Sequence, residues 1–284
     1  MSEKGLFLHL GLPKAASSYL QLKIFPKLQG IYHYPKPYFK RFPEILERAK
    51  GGRYLFSTEM FGRLCHRAKK IAQGYPDAGI ILVLRRQDRW IRSKYKYYIW
   101  KSGTMDFREF FDIHSDEGYW KKKALYYRPI LDTLVARFQH PPLLLFQEDL
   151  EEDPGPDLER LQQYTGTRLA PEKIRKKPLK VSFNDNQLIL LRAFNKRFPY
   201  RKPQSWPRLL KQLHMHLRQG VNYLVAWSAL LFPSSYFKDK ALLSKADLEA
   251  IRSFYEGDFL YCRKWAEERK EVQVERDSEP EWGS

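Results

Sequence analysis

The chain has 284 residues, 43% of them hydrophobic and 15% aromatic, which suffices for one substantial core and excludes a disordered, fibrous or low-complexity protein. Its 51 Lys and Arg against 33 Asp and Glu leave a formal charge of +18, favouring polyanionic partners such as a multiply charged nucleotide, an acidic polysaccharide, nucleic acid or an anionic membrane face. Cys65 and Cys262 form neither a disulfide framework nor a metal-spaced cluster and fit a reducing cytoplasm, while the polar first residues lack an apolar signal core and no run is long enough to span a bilayer.

In chain order, residues 6–10 are a short apolar run that reads as a buried strand. Gly11 and Pro13 break it, and Ser17 and Ser18 open a segment with helical spacing through Leu20 and Ile24. A turn of this kind gathers unpaired N–H groups and the positive end of a helix dipole, and Lys14 adds a full charge beside two hydroxyls. The result is a cradle for phosphate or sulfate. A nucleotide-triphosphate loop sets its Lys immediately before Ser or Thr. Lys14 lies three residues before Ser17, which disfavours an ordinary ATP or GTP site. A plain turn with a solvated lysine is the alternative.

Residues 30–34 form an aromatic strand ended by Pro35 and Pro37, and 42–49 have helical spacing. Residues 54–57 are a further strand, bounded by Gly51 and Gly52 and then by the polar Ser57, Thr58 and Glu59. Ligands of open parallel sheets meet the C-terminal strand ends, so Glu59 is set to face whatever Lys14 holds. Glu59 reads either as a carboxylate stabilising a helix N-terminus or as a general base that takes a proton from an acceptor hydroxyl. His9, just before the loop, is a competing base or a strand filler. His33 and His66 have no partner that the sequence names.

Residues 78–84 are a continuous apolar run and the best candidate for the central strand. Arg85 follows at once, with Ser93 eight residues later on the next helix, so an Arg fork and a Ser hydroxyl can converge on one phosphate. A basic, solvated helix face is the alternative there. Residues 106–137 read as helical, with Trp120, Leu125, Ile130, Leu134 and Phe138 as a core stripe. Residues 142–146 are another buried strand, followed by Glu148 and Asp149 as structural carboxylates, and a helix over 158–164 ends at Gly166. Residues 173–180 are basic and loop-like, Ser182 to Asp185 cap a helix through Leu188, Leu191 and Phe194, and helices over 206–231 and 245–268 complete the body. Within them, 221–232 reads as a buried helix, with an interfacial membrane contact as the alternative. One domain is expected over residues 1–269, and a polar, disordered tail over 270–284.

The stretch Pro13-Lys14-Ala15-Ala16-Ser17-Ser18-Tyr19-Leu20 resembles the 5'-phosphosulfate loop of sulfotransferases that use 3'-phosphoadenosine-5'-phosphosulfate (PAPS), with Ala16 where Gly is common. Arg85, Ser93 and Tyr95 fall on that family's 3'-phosphate pattern, with Gln87 in place of the usual Pro, and the Glu148-Asp149-Leu150 run after a strand is similar too. The resemblance implies an α/β fold: a single domain whose central parallel sheet is flanked by helices, in the manner of P-loop nucleotide kinases, with a helical C-terminal third. It implies transfer of a sulfuryl group from PAPS to a hydroxyl or amine, with adenosine 3',5'-bisphosphate as the leaving product and no metal. On this resemblance Lys14, Ala15, Ala16, Ser17, Ser18 and Tyr19 bind the phosphosulfate and Arg85 and Ser93 hold the 3'-phosphate. Lys177 and Lys180 would contact phosphate from a lid. Lys14 would be catalytic, with Glu59 as the base or His9 in its place. The acceptor stays open. Tyr and Trp side chains near Lys94 to Trp100 suit the sugar rings of a glycan, and the apolar C-terminal helices suit a lipid or a small alcohol. A basic nucleic-acid-binding protein and a nucleotide kinase of related architecture are the competing readings.

Overall fold

A computed structural model of the chain describes residues 4–60, 62–169, 183–201, 203–238 and 240–278. The strands are β1 (Lys4–Gly11), β2 (Leu28–Gln29), β3 (Ile31–Tyr34), β4 (Gly52–Glu59), β5 (Gly79–Leu84), β6 (Leu143–Phe146) and β7 (Arg168–Leu169). The helices are α1 (Ser17–Tyr19), α2 (Phe42–Arg48), α3 (Leu64–Gly74), α4 (Gln87–Trp100), α5 (Phe107–Phe110), α6 (Arg128–Arg137), α7 (Gln147–Glu152), α8 (Pro154–Thr165), α9 (Asp185–Arg197), α10 (Arg208–Ser228) and α11 (Lys245–Ser278).

Two compact units divide the chain, one drawn from residues 1–86, 126–179 and 255–284 and the other from 87–125 and 180–254. The first holds a five-stranded sheet in the order β3-β4-β1-β5-β6, every neighbouring pair parallel, and a two-residue antiparallel pairing of β2 with β7. Parallel strands need crossovers that cover both faces, and the sequence supplies this in β5 and β6, in which every residue is buried. The middle strand is β1, not the 78–84 run expected there. Both β4 and β5 pair with β1, so β5 is interior but off-centre. The edge strand β3 is aromatic, and Tyr34 stacks on Phe56 of β4 at a centroid distance of 4.8 Å. After β4 the chain passes to the other side of β1 to lay down β5. The C-terminal ends of β1 and β5 therefore flank the point where strand order reverses, which is where open parallel sheets take their ligands.

Among its described residues, the regular structure of the second unit is helical apart from an isolated bridge between Phe111 and Trp120. The expected helix over 106–137 is broken. Only Phe107–Phe110 and Arg128–Arg137 are α-helical, because Asp116 takes a positive φ of 61° and Gly118 sits against the Phe111 backbone with no room for a Cβ. Asn184 caps α9 as read from sequence: its side chain accepts from the Gln187 N–H and the Gln187 side chain accepts from the Asn184 N–H. Helix α11 continues to Ser278, into the segment expected to be a tail, and 279–284 lie outside the described residues. The largest departure is at 221–232. Its leucines are exposed, Leu224 at 72% and Leu231 at 86%, so the buried-helix reading fails.

Candidate active site at the C-terminal edge of the sheet

β1 leaves the sheet at Gly11, and the next residues form a tight turn with Leu12 and Ala15 fully buried. Lys14 and Ala16 both adopt left-handed backbone conformations, at φ 71° and 52°. A left-handed conformation costs a non-glycine residue about 1–2 kcal/mol, and alternating turn conformations point successive N–H groups toward one spot. Ala16 stands where the resembled family has glycine, and its positive φ is the physical reason that glycine suits the position. The helix then begins, but not with the expected periodicity. Three α-helical residues pass into a π-helical turn at Leu20–Ile24.

Ser17 is buried and its hydroxyl donates to the Leu12 carbonyl at 3.0 Å, so it braces the loop from within. Ser18 and Tyr19 are half-buried at the head of α1, where the Tyr19 N–H already bonds the Ala16 carbonyl at 2.8 Å. Gly11 is required by packing. A Cβ there would lie 2.3 Å from Ser17 Oγ and 2.7 Å from the His9 ring.

Arg85, one residue beyond β5, reaches this loop. Its Nη1 donates to the Lys14 carbonyl at 3.0 Å, and its own carbonyl accepts from the Tyr127 hydroxyl at 2.6 Å. The two strand ends at the switch point are thus tied together by a guanidinium. Glu148 accepts from the Arg86 N–H at 3.1 Å, and Asp149 makes a paired interaction with Arg263 at 2.7 Å. Both carboxylates are thus engaged within the fold, as expected of structural ones, with Arg263 as the partner of Asp149. Burial, with Glu148 next in effect, pushes the Tyr127 hydroxyl well above its usual range, so it stays a donor.

Glu59 is the last residue of β4 and stands directly opposite Gly11 in the β1–β4 register, while the Met60 N–H bonds the Gly11 carbonyl at 2.9 Å. Its side chain is 27% exposed and pairs with Lys36 at 3.7 Å, a solvent-facing contact worth little. Glu59 therefore lies beside the loop with its carboxylate accessible.

His9 is different. It is fully buried, its Nδ1 is hydrogen-bonded to Ser57 Oγ at 2.7 Å, and its ring sits edge-on to Phe25 at 5.1 Å, a ring that His33 also approaches at 5.4 Å. Burial, then His33, lowers its pKa to about 3, and burial lowers that of His33 to about 4. A neutral ring enclosed in the strand layer cannot meet an acceptor hydroxyl, so of the two readings of His9 the filler is the one its position fits. Ser57 was missed as its partner, although strand register puts it directly across from His9. No pattern in the sequence pointed to Tyr127.

Ser93 lies half-buried on α4 in the second unit, and α4 starts at Gln87, the first helical position, where proline is also favoured. Tyr95 is structural: it is fully buried, donates to the Met105 carbonyl at 3.0 Å and accepts from Arg192 at 2.9 Å. Of the rings read as a sugar platform, Tyr95 is buried, Tyr98 and Trp100 are half-buried and Tyr97 is exposed. Trp90 is buried edge-on to Trp120, with Lys94 over the Trp120 ring at 5.2 Å, and Trp100 packs on Phe183 at 4.9 Å. Lys177 and Lys180 lie outside the described residues.

No family model and no curated protein matches the sequence. Among solved structures, the chain is similar to a sulfotransferase from Alicyclobacillus acidocaldarius, with 15% identity and a TM-score of 0.49 over 67% of this chain and 92% of that one. It is also similar to the mouse sulfotransferase SULT7A1 complexed with PAP, with 12% identity and a TM-score of 0.38 over 89% of each chain.

Proposed function

We propose that this chain transfers a sulfuryl group from PAPS to a hydroxyl or amine of an acceptor. The observation that carries the reading is the hydrogen bond from Arg85 to the Lys14 carbonyl at 3.0 Å. It joins two half-motifs that lie 71 positions apart in sequence, at the two strand ends where a parallel sheet of this order takes ligands. A basic nucleic-acid-binding surface requires no such convergence.

In the proposed step the acceptor oxygen or nitrogen forms a bond to sulfur as the bond from sulfur to the 5'-phosphate oxygen breaks, in line. The acceptor's proton passes to Glu59, and adenosine 3',5'-bisphosphate leaves. Lys14 and the amides around Ala16 to Ser18 stabilise the charge that grows on the leaving phosphate, as preorganised donors do in other group transfers. Arg85 orients the Lys14 loop through its carbonyl and, with Ser93, holds the 3'-phosphate. His9 and Ser57 support the loop from beneath Gly11.

The test is calorimetric titration with adenosine 3',5'-bisphosphate, ADP and AMP. Binding that favours the bisphosphate supports a 3'-phosphate site and leads to an acceptor screen. Equal binding of ADP removes the meaning of the second half-motif and returns the nucleotide-kinase reading.

A further inference from the structure

Helix α10 is amphipathic in the wrong sense for a helix packed on a core. Its buried side carries little apolar surface, Ala226 beside polar anchors. Asn222 is fully buried and donates to the Trp100 carbonyl at 3.0 Å and to Ser102 Oγ at 2.9 Å, and Arg218 donates to the Phe198 carbonyl at 2.8 Å and to Asn195 Oδ1 at 2.9 Å. The opposite side is a stripe of Leu210, Leu213, Leu217, Leu224 and Trp227, continued by Leu231 in the following 3-10 turn, and all are exposed. At 100° per residue these positions fall within about a third of the helix circumference, centred opposite Asn222. A row of leucines held out to solvent by buried polar anchors implies an apolar medium on that side.

The surrounding sequence specifies the charge of that medium. Between Asp185 and Asp239 stand nine Lys and Arg and no Asp or Glu; Arg192 and Lys196 pair with Asp106 and Arg218 bonds Asn195 and Phe198, which leaves six for an outside partner. From the leucine stripe and this one-signed stretch, the geometry points to α10 as a docking helix that lies in the headgroup region of an anionic membrane. The leucines enter the acyl boundary, and the unpaired excess of basic residues in this stretch draws the unit to the negative leaflet across a Debye length. Trp227 and Phe232, both exposed, sit at the C-terminal end, and rings of this kind favour the interface between water and acyl chain. No described helix is long and apolar enough to cross a membrane, so the contact is one of lying on it.

Leucine at 210, 217, 224 and 231 recurs at the heptad interval, which would also suit a second copy of α10. The exposed surface is wider than a two-helix seam, because Leu209 and Val221 extend it on either side. The helix itself bears no acidic residue to pair with the basic residues of a partner copy. A negative bilayer satisfies both features. This inference stands apart from the sulfuryl-transfer reading and is tested without activity.

The experiment is sedimentation of the full chain with vesicles of equal phosphatidylserine and phosphatidylcholine, and with vesicles of phosphatidylcholine alone. The chain is expected to pellet with the mixed vesicles, much less with the neutral ones, and to be partly released by high salt. Leu217→Glu with Leu224→Glu, at exposed positions, should lower vesicle affinity by at least about tenfold while leaving the circular-dichroism melting curve in place. Three results overturn the proposal: wild type left in the supernatant with mixed vesicles, full binding by the double variant, or a dimer by light scattering that the double variant turns into a monomer.

Discussion

The turns after β1 and β5 begin alike, each leaving a parallel strand of the sheet and each carrying a basic residue, Lys14 or Arg85, yet they are built in opposite ways. After β1 the backbone is strained: two non-glycine residues take positive φ, one serine hydroxyl is spent on the loop itself, and the helix is only three residues long before it widens into a π turn. After β5 the chain enters a regular helix from Gln87 to Trp100, and what the turn offers is a side chain, Arg85. Backbone amides held by strain are fixed donors, suited to charge that appears only as a bond breaks. A guanidinium fork suits a phosphate that is present throughout. On the sulfuryl-transfer reading, the first turn would serve the transition state and the second the bound donor.

The largest effects should come from the first turn. Glu59 belongs with it by register, and Glu59→Gln is expected to lower turnover by roughly a hundred to ten thousand fold with donor binding retained. Unchanged turnover at saturating donor would remove Glu59 as the base. Lys14→Ala should cut turnover by about a hundred to a thousand fold and bisphosphate binding far less. A variant that binds poorly but turns over normally at saturation would reverse the assignment of the two turns. For the second turn, Arg85→Ala should weaken bisphosphate binding by about ten to a hundred fold in calorimetry. A smaller loss of turnover should accompany it, through the freed Lys14 carbonyl.

Beneath the first turn, the two buried histidines make a prediction about acid. The fold holds His9 and His33 neutral down to pH values of about 3 and about 4, against 6.5 for the ordinary group. Between about pH 6.5 and 4 the unfolded chain binds protons that the folded chain refuses, so stability is whole above that window and falls as pH drops through it. The slope is up to about 1.4 kcal/mol per pH unit for His9, and less for the partly open His33. Melting temperature followed from pH 7 to 4 should show this acid limb, and His9→Asn should flatten it. An identical limb in His9→Asn would mean that carboxylates, not this histidine, set it.

The sheet was legible in the sequence because its strands are short apolar runs closed by Gly, Pro or polar clusters, and the structure moves their ends by only a few residues. The strand-end positions of Lys14, Glu59 and Arg85 followed from the same punctuation. What was not legible depended on contacts remote in sequence. Periodicity could not show that β1 would take the centre, that Tyr127 would hold Arg85, or that Trp90 and Tyr95 would pack inward. Helix α10 defeated the pattern most fully. An apolar stripe normally means core, and only Arg218 and Asn222, bonded on the opposite side, show that the stripe faces out. The break at 106–137 was hidden for another reason, since Asp116 and Gly118 act through backbone conformation and not through hydrophobicity.

The smallest effect separates the two turns most cleanly, because it concerns strain alone. Ala16 has φ 52° and ψ 4°, while its neighbour Ala15 has no positive φ and is fully buried. Ala16→Gly removes a left-handed penalty of about 1–2 kcal/mol and adds back about 0.4–1 kcal/mol of unfolded-chain entropy, so stability should rise by up to about 1.6 kcal/mol. Ala15→Gly removes a buried Cβ and gains no relief, so stability should fall by about 0.5–1 kcal/mol or more. Two adjacent Ala→Gly changes are thus expected to move the denaturation midpoint in opposite directions. If both lower it, the loop is not holding Ala16 under strain, and the backbone donors of the first turn lose their claim to being preorganised.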